Sequence, residues 1–225
     1  MKESTNASRD FLKNSAALLG GALVGAALPG EAKADRGDAV IRIALIGCGD
    51  RGAGAAANAL SAHENISLVA MADVFRDKLD YTYDNLTKIT DLKGTINVPE
   101  KNKFIGFDGY LKAIALADVV LLVTPAAFRP LHFDAAVKAG KHVFMEKPLA
   151  IDAPGIRKIL ASGELATKKN LKVQVGLQNR YDPSFIQMVK QIKDGAIGDI
   201  VSATDYYLIG PVKHIAREAK QTELE

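Results

Sequence analysis

Tryptophan is absent from this sequence, and there is a single cysteine, Cys48. A lone thiol excludes an intramolecular disulfide and a zinc site built on cysteines. The four histidines, His63, His132, His142 and His214, are scattered, with no close pair at metal-ligand spacing, so no metal site is expected. Neither sign of charge dominates: 29 basic residues stand against 26 acidic ones, a net of +3 spread along the chain. That balance provides no electrostatic footprint for nucleic acid, and no nucleic-acid partner is expected. The uncharged run over residues 14–30 is too short and too rich in alanine and glycine for a good membrane span. No internal repeat occurs. What is present is a globular composition: 225 residues, 48% hydrophobic and 24% charged, enough for one or two domains with a sizeable core.

The uncharged run has a second meaning. Lys2, Arg9 and Lys13 precede it, and Ala32-Lys33-Ala34 follows it as a small-x-small cleavage pattern. Residues 1–34 therefore read as an export signal cleaved after Ala34. Ser8-Arg9-Asp10-Phe11-Leu12-Lys13 is similar to the twin-arginine signal, with one arginine where that signal has two. The expectation is an exported, periplasmic protein. The weak hydrophobicity of the run favours the route that carries folded proteins.

From residue 35 the chain alternates strand and helix. Val40–Ile46 is an apolar run that ends in Gly47, and Ala53–Leu60 follows as an alanine-rich helix. Strands are predicted over Ile66–Ala72, Phe104–Phe107, Val119–Val123, His142–Met145 and Leu171–Leu177. Five consecutive apolar residues at Val119–Val123 suit a parallel strand covered on both faces. Helices are predicted over Arg76–Ile89, after a cap at Asp108, over Pro130–Ala139 and over Ala153–Lys169. Strict βα alternation means an α/β fold with a doubly wound parallel sheet and right-handed crossovers. After Leu177 the pattern changes. Phe185, Met188, Val189 and Ile192 form one apolar helix face, and Ile200–Ile209 reads as a strand. A lone strand cannot satisfy its own edges, so residues 179–225 are expected to begin a second, incomplete domain.

Gly47-Cys48-Gly49-Asp50-Arg51-Gly52 is G-x-G-x-x-G between a strand and a helix, the context that gives this pattern meaning. Gly47 permits the tight turn, Gly49 lets backbone approach a pyrophosphate, and Gly52 lets helix and strand pack closely. The helix N-terminus offers free N–H groups to an anion. Asp73 ends the second strand about 20 residues further on, where a carboxylate accepts from adenosine ribose hydroxyls. It repels a 2′-phosphate, so NAD is expected ahead of NADP. Arg76 is near enough to soften that preference. Glu146-Lys147-Pro148 stands at the C-terminal end of the fifth strand. Ligands of open α/β sheets bind outside those ends, so Lys147 is placed where a nicotinamide ring would lie. Pro148 is in a tight turn beside that site, a setting in which cis prolines recur.

Thr124-Pro125, Ala139-Gly140-Lys141-His142-Val143 and Glu146-Lys147-Pro148-Leu149-Ala150 resemble the Gfo/Idh/MocA family (glucose–fructose oxidoreductase and inositol dehydrogenase). Gly176-Leu177-Gln178-Asn179-Arg180-Tyr181-Asp182-Pro183 and Gly195-Ala196-Ile197-Gly198-Asp199-Ile200 extend the likeness over roughly residues 39–210. The resemblance implies a Rossmann domain holding NAD, with NADP as the alternative, here over 35–178. It implies a following α+β domain with a mainly antiparallel sheet, here begun over 179–225. It implies a carbohydrate or polyol substrate and homo-oligomers paired through the second-domain sheet. The family's acidic residue and histidine on a helix of that domain have no counterpart in this sequence, so the chain reads as C-terminally truncated. The candidate cofactor-binding residues are Gly47, Gly49, Asp50, Arg51, Gly52, Asp73, Thr124, Pro125, Glu146 and Lys147. Lys147 is also the candidate catalytic residue. It joins Gln178, Arg180 and Tyr181 as a candidate substrate contact.

The chemistry implied is hydride transfer between a carbinol carbon and nicotinamide C4, with proton transfer at the hydroxyl. A base must lie within hydrogen-bond reach of that hydroxyl. An ordinary lysine, with a pKa near ~10.4, is too basic for the role at neutral pH. Burial in a dry cleft and a nearby positive ring would lower it. Lys147 is then either a base or a fixed charge for the alkoxide, and Glu146 either orients it or is simply solvated. Two alternatives stay open. One is an NAD-dependent glycosidase, which releases reducing sugar without accumulating NADH. The other is a non-catalytic nucleotide- or sugar-binding module. His132 reads as a packing residue.

Overall fold

The computed structural model describes residues 39–208 and Gly210. The export signal at 1–34, His214 and the C-terminal residues lie outside the described residues. Seven strands and six helices follow in order: β1 Ile41–Ile46, α1 Asp50–Ala62, β2 Ile66–Asp73, α2 Arg76–Thr87, β3 Thr95–Ile96, β4 Lys103–Ile105, α3 Gly109–Leu116, β5 Val119–Leu122, α4 Arg129–Lys138, β6 His142–Met145, α5 Ala153–Lys168, β7 Val173–Val175 and α6 Pro183–Lys193.

The strands form one parallel sheet in the order β3-β2-β1-β5-β6-β7, and β4 also pairs with β2. The order reverses between β1 and β5, which places a crevice outside their carboxyl ends. Each strand serves two cores because successive side chains point to opposite faces. Ala44 and Ile46 of β1, with Val120 and Leu122 of β5, pack under α3, α4 and α5 alongside Ile114, Phe133, Val137 and Ile159. Ile43, Leu45 and Leu121 face the other way, onto Ala56 and Leu60 of α1 and Leu79 and Leu86 of α2. The alternation breaks once. Ile43 pairs with Leu68 but Ala44 pairs with Ala70, so Val69 is an extra residue in β2.

Several boundaries differ from the sequence reading. Helix α1 begins at Asp50, directly from the glycine loop, rather than at Ala53. Strand β3 and a 3₁₀ turn at Glu100–Asn102 occupy a stretch read as connection, because two or three residues carry no periodicity. Asp108 occupies the N-cap of α3, yet its side chain makes no capping bond. Its φ of −97° and ψ of −2° are helical, not the extended geometry from which a cap side chain reaches back. The predicted strand at Ile200–Ile209 does not form over residues 200–208. Val201, Tyr207 and Leu208 are 94%, 84% and 90% exposed, and a segment with no neighbouring strand among the described residues closes no ladder there. Helix α6 does form. It buries none of its residues, and Phe185, Met188 and Val189 stay exposed.

Candidate functional site

The crevice outside the carboxyl ends of the strands is a cleft of about 1220 Å³. It is lined by Gly47, Gly49, Asp50 and Arg51 from the glycine loop and by Asp73 from the end of β2. Thr124 and Pro125 after β5, Glu146 and Lys147 after β6, and Gln178 and Tyr181 after β7 complete the wall. Residues far apart in sequence thus meet because parallel strands all end on the same side of the sheet.

The glycine loop is built as its pattern predicts. Gly47 has φ +96°, and a Cβ there would lie 2.6 Å from the Thr124 backbone nitrogen. Gly47 N–H donates to the Ala72 carbonyl at 2.9 Å. Gly52 is buried and does not line the cleft; a Cβ on it would lie 2.0 Å from the Gly47 carbonyl oxygen. Only glycine lets α1 start this close to β1. Nothing lies within 4 Å of where a Gly49 Cβ would stand, so this stretch of backbone faces open cleft. Asp73 is locked in place. Its Oδ2 accepts from Cys48 N–H at 2.7 Å and its Oδ1 from Phe75 N–H at 3.0 Å. Carboxylate lone pairs remain for a further partner. Burial pushes the Cys48 thiol well above its usual range, and Asp73 adds to the effect.

Arg51 reaches across the cleft floor to Glu146, with Nη2 2.5 Å from Oε1. The Glu146 carboxylate is buried and packs against the backbone of Gly176, where a Cβ would sit 2.6 Å from Oε1. Its neighbour Lys147 is exposed at the mouth. The expected burial of Lys147 is therefore not supplied by the described residues, although the residue lines the cleft. The Lys147–Pro148 bond is cis. Gln178 and Tyr181 line the cleft but Arg180 does not. Residues 178–180 form a 3₁₀ turn; at three residues per turn, positions 178 and 181 share a face that 180 leaves.

Sequence reasoning missed several wall residues. Arg129, 2% exposed, donates through Nη1 to the Pro148 carbonyl and through Nη2 to the Thr124 carbonyl, tying together the loops after β5 and β6. Its Nε has no partner among the described residues. Burial lowers its pKa and Glu146 opposes that shift. His132 shares a hydrogen bond with Thr124 Oγ1 at 3.2 Å and packs on Tyr110 with ring centroids 4.2 Å apart. Desolvation first, then Arg129, pushes its pKa down to about 4. Packing is thus its role, but packing within the cleft wall. Phe107 and Phe128 expose apolar rings there, 6.1 Å apart. Gln174 donates to the Tyr181 hydroxyl at 2.7 Å. A buried arginine in a helix first turn gives no sequence signal, because its carbonyl partners carry no residue identity.

Fold and cleft define a Rossmann-type α/β domain whose glycine loop and strand-end carboxylate border one crevice. The chain belongs to the Gfo/Idh/MocA oxidoreductase family, with an NAD-binding Rossmann fold; the family's sequence model matches residues 41–177. An inositol 2-dehydrogenase of Rhizobium meliloti is 28% identical over 73% of this chain and 44% of its own length. An inositol 2-dehydrogenase/D-chiro-inositol 3-dehydrogenase of Lactiplantibacillus plantarum is 30% identical over 71% of this chain and 41% of its own. Among solved structures, scyllo-inositol dehydrogenase from Lactobacillus casei with bound NAD(H) and scyllo-inositol is 27% identical, with a TM-score of 0.54 over 71% of this chain and 43% of that one. A 3-ketoreductase from Actinomadura kijaniata in complex with TDP-benzene and NADP is 26% identical, with a TM-score of 0.53 over 71–72% of this chain and 45–46% of that one. The chain spans less than half the length of these relatives.

Proposed function

We propose that this protein is an NAD(P)-dependent oxidoreductase that moves hydride between a nicotinamide cofactor and a hydroxyl-bearing carbon of a polyol or sugar. The observation that carries this reading is the convergence, in one cleft, of the glycine loop, Asp73 and Lys147. The inositol dehydrogenases among the relatives support a cyclic polyol as the substrate class.

The residues present fit the cofactor. Asp73 and Lys147 line the same cleft, and the Gly49 backbone at the α1 N-terminus faces open space. The Gly49 backbone and Arg51 would hold the pyrophosphate, with Gly47 shaping the turn, and Asp73 would hold the adenosine ribose. The apolar rings of Phe107 and Phe128 would flank the base. When bound, the nicotinamide supplies the hydride acceptor. Lys147 holds or removes the hydroxyl proton at Nζ, and Glu146, anchored by Arg51, fixes the backbone from which Lys147 projects. Gln178 and Tyr181 offer hydroxyl and amide partners to a polyol, with Tyr181 steadied by Gln174.

Titrating the chain with NADH tests the reading. With no tryptophan in the chain, protein background is low, and bound cofactor registers as saturable fluorescence enhancement. Asp73→Ala should weaken binding about tenfold, the size of a charge-assisted hydrogen bond lost at the ribose. No enhancement from folded protein would overturn the reading.

We further infer that residues 1–34 direct export to the periplasm by a folded-protein route. A protein that leaves the cytoplasm with its cofactor loaded suits a compartment where free NAD is scarce. Residues 179–225 belong, on this reading, to a second α+β domain that completes the substrate site and the oligomer. The exposed apolar face of α6 supports that assignment.

A further inference from the structure

The two solved relatives above hold NAD(H) in one case and NADP in the other, so membership in the family leaves open which dinucleotide this cleft prefers. Two oppositely charged groups near the end of β2 bear on that choice. Asp73 is fixed facing the cleft by the Cys48 and Phe75 N–H groups at 2.7 and 3.0 Å. A carboxylate held by two backbone donors cannot rotate away from a 2′-phosphate. Arg76, three residues later at the start of α2, is the cation that would offset it. Its side chain does not line the cleft. The guanidinium instead donates to Glu100 Oε1 at 2.5 Å and lies 3.7 Å from Asp80.

Glu100 is itself anchored. It belongs to the 3₁₀ turn that leads into β4, and its Oε2 lies 3.3 Å from Lys103 Nζ. Lys103 is only 12% exposed, and its ammonium sits 4.0 Å over the Tyr83 ring. An isolated exposed ion pair contributes little, but a pair extended into a network on a partly buried lysine holds its geometry better. Arg76, and then Lys103, keep the Glu100 carboxyl below the ordinary carboxylate range.

Resting on the dinucleotide reading of the cleft, we propose that Glu100 is a cofactor-specificity determinant. By holding Arg76 out of the cleft while Asp73 is held in, it makes the site selective for NAD over NADP. The selectivity is set by a side chain outside the cleft, acting through one that it withholds. Lys78, which does line the cleft, is common to every variant below and cannot account for differences among them.

The test is a set of NADH and NADPH fluorescence titrations on the full chain. Wild type is compared with Glu100→Gln, Arg76→Ala and the double variant, each checked for a wild-type thermal melt. Wild type should bind NADH more tightly than NADPH. Glu100→Gln should tighten NADPH about three- to fivefold, the range of an exposed charge contact, while NADH changes less than about twofold. The gain should vanish in the double variant, because it requires the freed arginine. An unchanged NADPH affinity in Glu100→Gln overturns the proposal. So does a gain that persists without Arg76, which would make Glu100 a simple repulsive charge. Failure of wild type to bind either dinucleotide overturns the underlying reading instead.

Discussion

Arg129 and His132 share one wall of the cleft, one turn apart on α4, and their protonation states differ for a common reason. Both are buried. Arg129 retains its charge because two carbonyl oxygens accept from it and no neutral form is accessible near neutral pH. His132 resolves the same burial by staying neutral, and the adjacent guanidinium reinforces that choice. The consequence for stability has a definite sign. The folded-state pKa of about 4 lies below the ordinary value of 6.5, so the unfolded chain binds the proton more readily. Stability from this residue is complete above about pH 6.5 and is lost as pH falls towards 4. The loss amounts to about 3 kcal/mol. Urea unfolding at pH 7 and pH 4, wild type beside His132→Phe, checks it. The wild type should lose about 3 kcal/mol more than the variant, since the paired carboxylates titrate in both. Equal losses would show that His132 takes up its proton in the folded protein as readily as in the unfolded chain, and would overturn the burial argument.

The elements divide sharply in what holds them. Strand β1 is central, with Leu45 and Ala44 fully buried between two helical layers. Leu45→Ala should cost about 2–5 kcal/mol by leaving a cavity with no neighbour free to collapse into it. Helix α6 is the opposite case. It has Pro183 near its start, an Asp182 cap accepting from Ser184 and Phe185 N–H groups, and a regular apolar face, yet it buries no residue. Val189→Ser should therefore leave the unfolding free energy within about 0.5 kcal/mol of wild type, and α6 amides should exchange well before those of β1. A penalty above about 2 kcal/mol would mean that the face is covered in solution. One local signal made α6 legible from sequence: the 3.6-residue period of Phe185, Met188, Val189 and Ile192. The strand predicted at Ile200–Ile209, absent over residues 200–208, had β-propensity only, and propensity without a partner strand does not make a ladder.

For the whole molecule, the described residues form a domain whose cleft draws on the ends of β1, β2, β4, β5, β6 and β7. The export reading concerns residues 1–34, and it predicts a mature protein beginning at Asp35. Terminal sequencing of protein recovered from a periplasmic fraction checks this. Recovery only from the cytoplasm, with Met1 or Lys2 at its terminus, would overturn it. If export is right, cofactor binding precedes it, and the periplasmic protein should carry dinucleotide before any is added.

The sequence by itself determined the α/β class with its parallel, doubly wound sheet, the glycine loop and the residues at strand ends. Those features rest on local rules: periodicity, turn chemistry, and the spacing from Gly52 to Asp73. The tertiary structure alone decided which of the named residues share a cleft. It placed Gly52 beneath the loop and Arg180 off the wall, and it brought Arg51 to Glu146 across 95 positions of chain. It also turned Arg76 towards Glu100 and buried Arg129 between two carbonyls. Such contacts depend on distances between segments that only the packed sheet sets, and their partners are often backbone atoms common to every residue type.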